Sequence, residues 1–196
     1  YSFAEFKKNN PKKVLDETGF YLVGEVYNYG ISSGKAFDFG DKKVNYFDKA
    51  FNSLINFEIK WNTKQQNAQE VFSRYDSLLN TNLKAYGILN YMSSHDDGMP
   101  FDKERKMPFK TAEMLLLTPG TSQVYYGDES ARELMVEGTT GDANLRSLMN
   151  WDTIDHDEKT KEILNHWQKL GQFRVNHPAI GAGKHQVIST NNGLVF

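Results

Sequence analysis

The 196-residue sequence predicts an α/β fold, a parallel sheet joined by crossover helices. Short apolar runs of strand length alternate with segments of helical period about four times along the chain. The loops after the first, third and fourth of these runs carry carboxylates. Folds of this kind gather their chemistry outside the carboxyl ends of parallel strands. The stretch around which the rest is organised is Tyr91-Met92-Ser93-Ser94-His95-Asp96-Asp97-Gly98, where an apolar run stops on ionisable residues.

Residues 1 to 18 read as the end of a helix, with Phe3, Phe6, Val14 and Leu15 apolar and Pro11 interrupting. The first strand is Phe20 to Val26, a near-continuous apolar run of the kind covered on both faces. Glu25, near its end, is out of place in a core, and reads either as a functional carboxylate or as a Glu just escaping to solvent. Residues 27 to 41, with Gly30, Gly34 and Gly40, read as a loop. Phe51 to Phe57 is the second strand, and Ala68, Val71, Phe72, Tyr75, Leu78 and Leu79 mark the helix that follows. Tyr86 to Met92 is the third. The next helix runs from Pro108, suited to a first turn, to Leu117, and Pro119-Gly120 ends it. Ser122 to Tyr126 is the fourth strand, running into Gly127-Asp128-Glu129.

Residues 130 to 155 read as an irregular loop. Asp155-His156-Asp157-Glu158 resembles a capping box opening a helix with Ile163, Leu164, Trp167, Leu170 and Phe173 on one face. After Pro178 the pattern changes. Gln186 to Ser189 and Gly193 to Phe196, across Thr190-Asn191-Asn192, read as a hairpin that begins a separate β domain. The expected division is therefore 1–180 and 181–196.

Bulk composition narrows the partners. A net charge of -2 gives no electrostatic footprint for nucleic acid or an anionic membrane surface. No run approaches the ~20 apolar residues of a membrane span. The absence of cysteine removes thiol and disulfide chemistry. No His/Asp/Glu spacing makes a metal site. The N-terminal residues are not a secretory signal.

Three motifs, in order, resemble those of the second half of the catalytic barrel in the alpha-amylase superfamily of glycoside hydrolases. Leu22-Val23-Gly24-Glu25-Val26 resembles the fifth-strand motif, whose Glu is the general acid/base. Tyr91 through Asp96 resembles the seventh-strand motif, which usually ends Asn-His-Asp. Pro119 through Glu129 resembles the eighth-strand motif, usually Gly-x-Pro-x-x-Tyr-Tyr-Gly-Asp-Glu. Arg146-Ser147-Leu148-Met149-Asn150-Trp151 and the stretch Leu170 to Gly183 add weaker matches. Ser94 stands where Asn is common, and Ser122 where Pro is usual.

The resemblance implies the second half of a TIM (β/α)8 barrel, about four parallel strands with helices, followed by the first strands of a β-sandwich domain. It implies a retaining hydrolase acting on α-1,4 links of starch-like glucans. Glu25 is then the proton donor, with Val23 and Val26 as apolar neighbours favouring its protonated form. Asp96 stabilises the transition state, and His95 donates to a hydroxyl of the same sugar. Tyr27 stacks on the sugar beyond the scissile bond, a residue that reads equally well as a packed loop tyrosine. Asp128 and Glu129 hold the loop, and Asp97 reads as a loop residue.

The third- and fourth-strand motifs, with the nucleophilic Asp, are not in the sequence. The segment alone is therefore expected to be inactive and to need a missing N-terminal half, or a second copy, to complete the barrel. Calcium, if the complete enzyme takes it, would draw mostly on that half. Exported relatives favour a secreted, periplasmic or cell-surface location. The alternatives are a non-catalytic carbohydrate-binding or scaffold subunit, or a glycosyl-transferring relative. The presence of both Glu25 and Asp96 favours the enzyme.

Overall fold

Four short strands form one wholly parallel sheet. In chain order the strands are β1 (Val23–Gly24), the pair β2 (Ala36–Asp38) and β3 (Lys43–Asn45), then β4 (Ser53–Asn56), β5 (Gly87–Tyr91) and β6 (Thr121–Gln123). The parallel sheet has the order β1-β4-β5-β6, while β2 and β3 make a separate antiparallel hairpin. The computed structural model describes residues 2–13, 19–48 and 50–188. The helices are α1 (Phe3–Asn9), α2 (Ile59–Gln65), α3 (Ala68–Asn80), α4 (Pro108–Leu117), α5 (Trp151–His156), α6 (Glu158–Asn176) and α7 (Ala179–Ala182). Among the described residues no helix is long and apolar enough to cross a membrane.

Register places Leu54 beside Ile88 and Asn56 beside Asn90. All four side chains are buried. Side chains alternate faces along a strand, so Leu54 and Asn56 share the face that meets the helices. There Asn56 donates to the Tyr75 hydroxyl of α3 at 3.0 Å and to Asn90 Oδ1 at 2.8 Å, while its own oxygen accepts from the Ile31 N–H at 3.0 Å. Asn90 in turn donates to the Pro119 carbonyl at 3.0 Å, just before β6. Buried amides need such partners, because an unpaired polar group in the core is costly. Here the partners are four different segments of the chain.

Local sequence explains the helices. Asn67 caps α3 in a full capping box with Glu70, and Val71, Phe72 and Tyr75 form its buried face. Pro108 opens α4, and the Asp102 carboxylate accepts from the Lys106 and Met107 N–H groups ahead of it, at 2.8 and 2.7 Å. Asp157 caps α6 by accepting from the Thr160 N–H at 2.7 Å. Ile163 and Trp167 of α6 are buried, in the same core cluster as Met114 and Leu115 of α4.

Several sequence expectations need correction. The run from Phe20 was expected to be covered on both faces, yet β1 holds only Val23–Gly24 at the sheet edge, with Phe20 60% and Tyr21 49% exposed. Among the described residues it pairs on one side only, with β4. A side chain at Gly24 would meet the Phe51 ring at 2.7 Å, so close approach to that ring requires the glycine. The loop at 27–41 contains β2 and begins the hairpin, whose tight turn uses Gly40 at φ 92° and the Asp38 carboxylate accepting from its N–H. The helix α2 was not foreseen, because it buries Lys60, Asn62 and Thr63 beside Ile59 and so lacks an apolar period. The stretch at 130–155 holds a 3₁₀ turn (Gly141–Arg146) and α5, and the α6 cap is Asp157 rather than Asp155. Residues 184–188 form no strand, and the rest of the expected hairpin lies outside the described residues, as do Val14 and Leu15.

The amide relay generates a prediction. Asn56→Ala removes the partner of Tyr75, Asn90 and Ile31 together, and should lower unfolding free energy by about 3 kcal/mol. Urea unfolding should show a lower midpoint at unchanged m-value. A loss below about 0.5 kcal/mol, the size of an ordinary surface substitution, would contradict that role.

Candidate active site

The carboxyl end of the sheet is built by what each strand does when it stops. Glu25 is the first residue beyond β1 and is exposed. The chain then turns back on itself, with Asn28 at φ 63° and the Tyr29 N–H donating to the Val26 carbonyl at 2.8 Å. Buried Tyr29 anchors that turn by donating to the Gly34 carbonyl at 2.8 Å, which leaves Tyr27 outside at 75% exposure. Beyond β5 the chain stays buried through Met92, Ser93 and Ser94, and surfaces at His95 and Asp96.

Ser94 shapes this exit. Its hydroxyl donates to Asp96 Oδ1 at 2.8 Å and accepts from the Asp97 N–H at 3.2 Å. His95 Nε2 lies 3.7 Å from Asp96 Oδ2, and the Arg146 guanidinium donates to the His95 carbonyl at 3.0 Å. The Arg146 segment thus buttresses the loop that presents the pair.

β1 and β5 are not neighbours, since β4 lies between them. Their terminal carboxylates nevertheless meet around two adjoining hollows. The smaller, about 50 Å³, is lined by Glu25, Tyr91, Ser94, His95, Asp96 and Gln123. The larger, about 270 Å³, is lined by Glu25, Tyr27, Lys60, Trp61, Asp96 and Asp97 among others. Phe57, at the end of β4, belongs to both walls and stacks edge-on with Tyr27 and with Tyr91, each at 5.7 Å. Of the four residues expected from sequence, Glu25 and Asp96 line both hollows, His95 only the smaller and Tyr27 only the larger. The apolar enclosure expected from Val23 does not form, because Val23 is 37% exposed.

The floor of the larger hollow was not legible in sequence. Buried Lys60 pairs with the Asp97 carboxylate and donates to the Met99 carbonyl at 3.2 Å. Tyr91 donates to the same Asp97 oxygen at 2.6 Å, and Asp97 Oδ1 accepts from the Met99 N–H at 2.9 Å. Asp97 is thus a clamp and more than a loop residue. Burial pushes the Tyr91 phenol above its usual range, with Asp96, Glu25 and Tyr27 adding to the shift. Burial brings the Lys60 ammonium down to about 8, with Lys64 adding a smaller push. Phe57 and Gln123 had a usable signal, since each sits at a strand end. Lys60 had none.

The residues after β6 are structural. Asp128 is fully buried, accepts from Ser93, and pairs with Arg105 at 2.8 Å. Glu129 accepts from the Gly127 N–H at 2.9 Å. Among the described residues no three imidazole or carboxylate side chains converge as a metal site requires.

No family model matches the chain. It is 34% identical over 198 residues to the periplasmic alpha-amylase of Escherichia coli (strain K12), covering 100% of this chain and 27% of that protein. It is 28% identical over 170 residues to the maltogenic alpha-amylase of Bacillus acidopullulyticus, covering 82% of this chain and 26% of that one. The chain thus spans about a quarter of the length of these curated relatives. The alpha-amylase from H.orenii superposes with a TM-score of 0.51 at 20% identity, over 99% of this chain and 44% of that one. An Anoxybacillus alpha-amylase gives 0.57 at 20%, over 95% and 38%. AmyP in complex with maltose gives 0.57 at 15%, over 92% and 44%. At such identities the likeness concerns fold, and the four parallel strands with their helices fit a partial TIM barrel.

Lys60 supplies a pH test. Its folded value, about 8, lies below the 10.5 of the free side chain. Between those values the unfolded chain binds more protons, so the Lys60 contribution to stability rises with pH across the window. Urea unfolding from pH 7 to 10.5 should show the difference between wild type and Lys60→Met shifting in favour of wild type as pH rises. A difference constant with pH would contradict a depressed Lys60.

Proposed function

Since the chain belongs to the alpha-amylase superfamily, we propose that it supplies the proton donor and the transition-state carboxylate of a retaining glycosidase acting on α-1,4-linked glucans. The carrying observation is that Glu25 and Asp96, from strands separated by a third, line the same two hollows. In this reading Glu25 passes its proton to the glycosidic oxygen as the C1–O bond breaks. A nucleophilic carboxylate takes C1 from the opposite face, about 5–5.5 Å away. Glu25, now ionised, deprotonates the water that releases the glycosyl group. Asp96 keeps its charge facing the oxocarbenium-like sugar, and His95 donates to a hydroxyl of that ring. Tyr27 offers its face to the leaving sugar. The maltose of the AmyP complex is a ligand of the expected class.

Asp97 is held by Lys60 and Tyr91 and is a poor nucleophile. The nucleophile is assigned to a strand that would pair with the free side of β1. Four strands do not close a barrel of eight, so the 196-residue chain alone is expected to be silent. The remaining strands would also cover the exposed Phe20 and Tyr21. The two surviving carboxylates support this reading over a non-catalytic scaffold.

Glu25→Gln in the complete enzyme should lower kcat on starch by about 10²–10⁴-fold. Added azide should restore turnover on an activated glucoside and give a glycosyl azide of retained configuration. Near-normal turnover in the Gln variant would remove Glu25 from the role.

A further inference from the structure

We infer that Arg146, clamped by Arg132, Tyr125 and Tyr126, is a positioning residue for the proposed cleavage chemistry, fixing the His95 backbone and with it the aim of His95 and Asp96. The inference deepens the proposed function and rests on the roles given there to His95 and Asp96.

The 3₁₀ turn Gly141–Arg146 ends with carbonyls that no further turn of helix satisfies. The residues beyond β6 supply the donors. The Leu145 carbonyl accepts from the Tyr125 hydroxyl at 2.9 Å and from Arg132 Nη2 at 3.2 Å. The Ser147 carbonyl accepts from the Tyr126 hydroxyl at 2.7 Å and from Arg132 Nη1 at 3.2 Å, and Nη1 also donates to the Ser147 hydroxyl. Arg146 therefore stands between two carbonyls that are each held twice. Its own side chain is half exposed, with Asp142 at 3.7 Å, and its Nε donates to the His95 carbonyl at 3.0 Å.

Arg132 is suited to this task and is only 1% exposed. Its Nε donates to the Tyr126 carbonyl at 3.0 Å, and its guanidinium lies 3.9 Å from the Tyr126 ring centre. Gly127 makes the room, since a Cβ there would meet Arg132 Cβ and Nε at 2.5 Å. A rigid guanidinium fork can hold two carbonyls at once, whereas a lysine is a point charge on a flexible stem. Arg132 also reaches the β5 exit by a second route. Its carbonyl accepts from Arg105 Nε at 2.7 Å, Arg105 pairs with Asp128, and Asp128 accepts from Ser93. Ser93 and His95 are thus fixed from one residue through separate chains of contacts.

The test uses the complete enzyme with Arg146→Ala, Arg146→Lys and Arg132→Lys. In Arg146→Ala, kcat on starch should fall about tenfold to a hundredfold, with KM and the urea midpoint close to wild type. Arg146→Lys, whose ammonium reaches the same carbonyl, should recover most of the loss. Arg132→Lys should resemble Arg146→Ala. If that buried replacement does not fold, the double variant Tyr125→Phe/Tyr126→Phe loosens the same two carbonyls and should lower kcat in the same direction. The ¹³C resonance of the His95 ring, assigned by its loss in His95→Gln, should move in Arg146→Ala and return in Arg146→Lys. Unchanged kcat together with an unmoved resonance in Arg146→Ala would overturn the inference. So would a loss equal in Arg146→Ala and Arg146→Lys that follows a lowered urea midpoint, and so would full kcat in the double tyrosine variant beside an unfolded Arg132→Lys. A wild-type enzyme that cleaves no glucan, with the resonance still moving in Arg146→Ala, would overturn the proposed function while leaving the link from Arg146 to His95 standing.

Discussion

The structure depends on one buried contact, the amide pair Asn56–Asn90 between the two central strands. Asn56 reaches α3 through Tyr75, the loop after β1 through Ile31, and β5 through Asn90, which reaches the approach to β6. The pair therefore ties the two central strands to α3, to the loop after β1 and to the approach to β6. Because side chains alternate along a strand, a one-residue slip of β4 against β5 would turn one amide to the wrong face and leave both without their partner. The carboxyl ends of the strands, and every group placed there, inherit their positions from this register.

Above that layer the site uses a second constraint. The Lys60–Asp97 pair sits at the base of the cleft and draws the loop after β5 down onto α2. Desolvating such a pair is costly, and removing one partner leaves a buried charge alone. Its visible effect is geometric: Asp97 is held by Lys60 and Tyr91, while the adjacent Asp96 accepts from Ser94 and lines both hollows. Neighbouring carboxylates thus have separate partners. On the far side Arg146 holds the His95 backbone, so the loop is tied at both flanks.

Much of this was legible in sequence wherever burial follows apolar pattern. The strands β4 and β5 and the helices α3, α4 and α6 stand where hydrophobic period and caps put them. Glu25 and the His95-Asp96 pair stood out as polar groups ending apolar runs, whereas Tyr27 came only through the resemblance; the structure puts all four at the carboxyl end of the sheet. What escaped notice depends on contacts distant in sequence. Lys60 and Asp97 lie 37 residues apart, and α2 hides its helical nature by burying polar residues. Edge position misled the reading of β1, since an apolar run alone does not reveal whether a strand has neighbours on both sides. The hairpin of β2 and β3 is too short for periodicity to reveal.

The most direct measurement is a crystal structure of the complete enzyme with a pseudo-oligosaccharide inhibitor bound. The Glu25 carboxyl should lie within hydrogen-bonding reach of the atom replacing the glycosidic oxygen. Asp96 and His95 should contact hydroxyls of the sugar on the other side of that atom, with Tyr27 against the leaving unit. Density placing the inhibitor more than about 6 Å from Glu25 and Asp96, beyond even a bridging water, would contradict the assignment of this cleft as the place where the bond is broken.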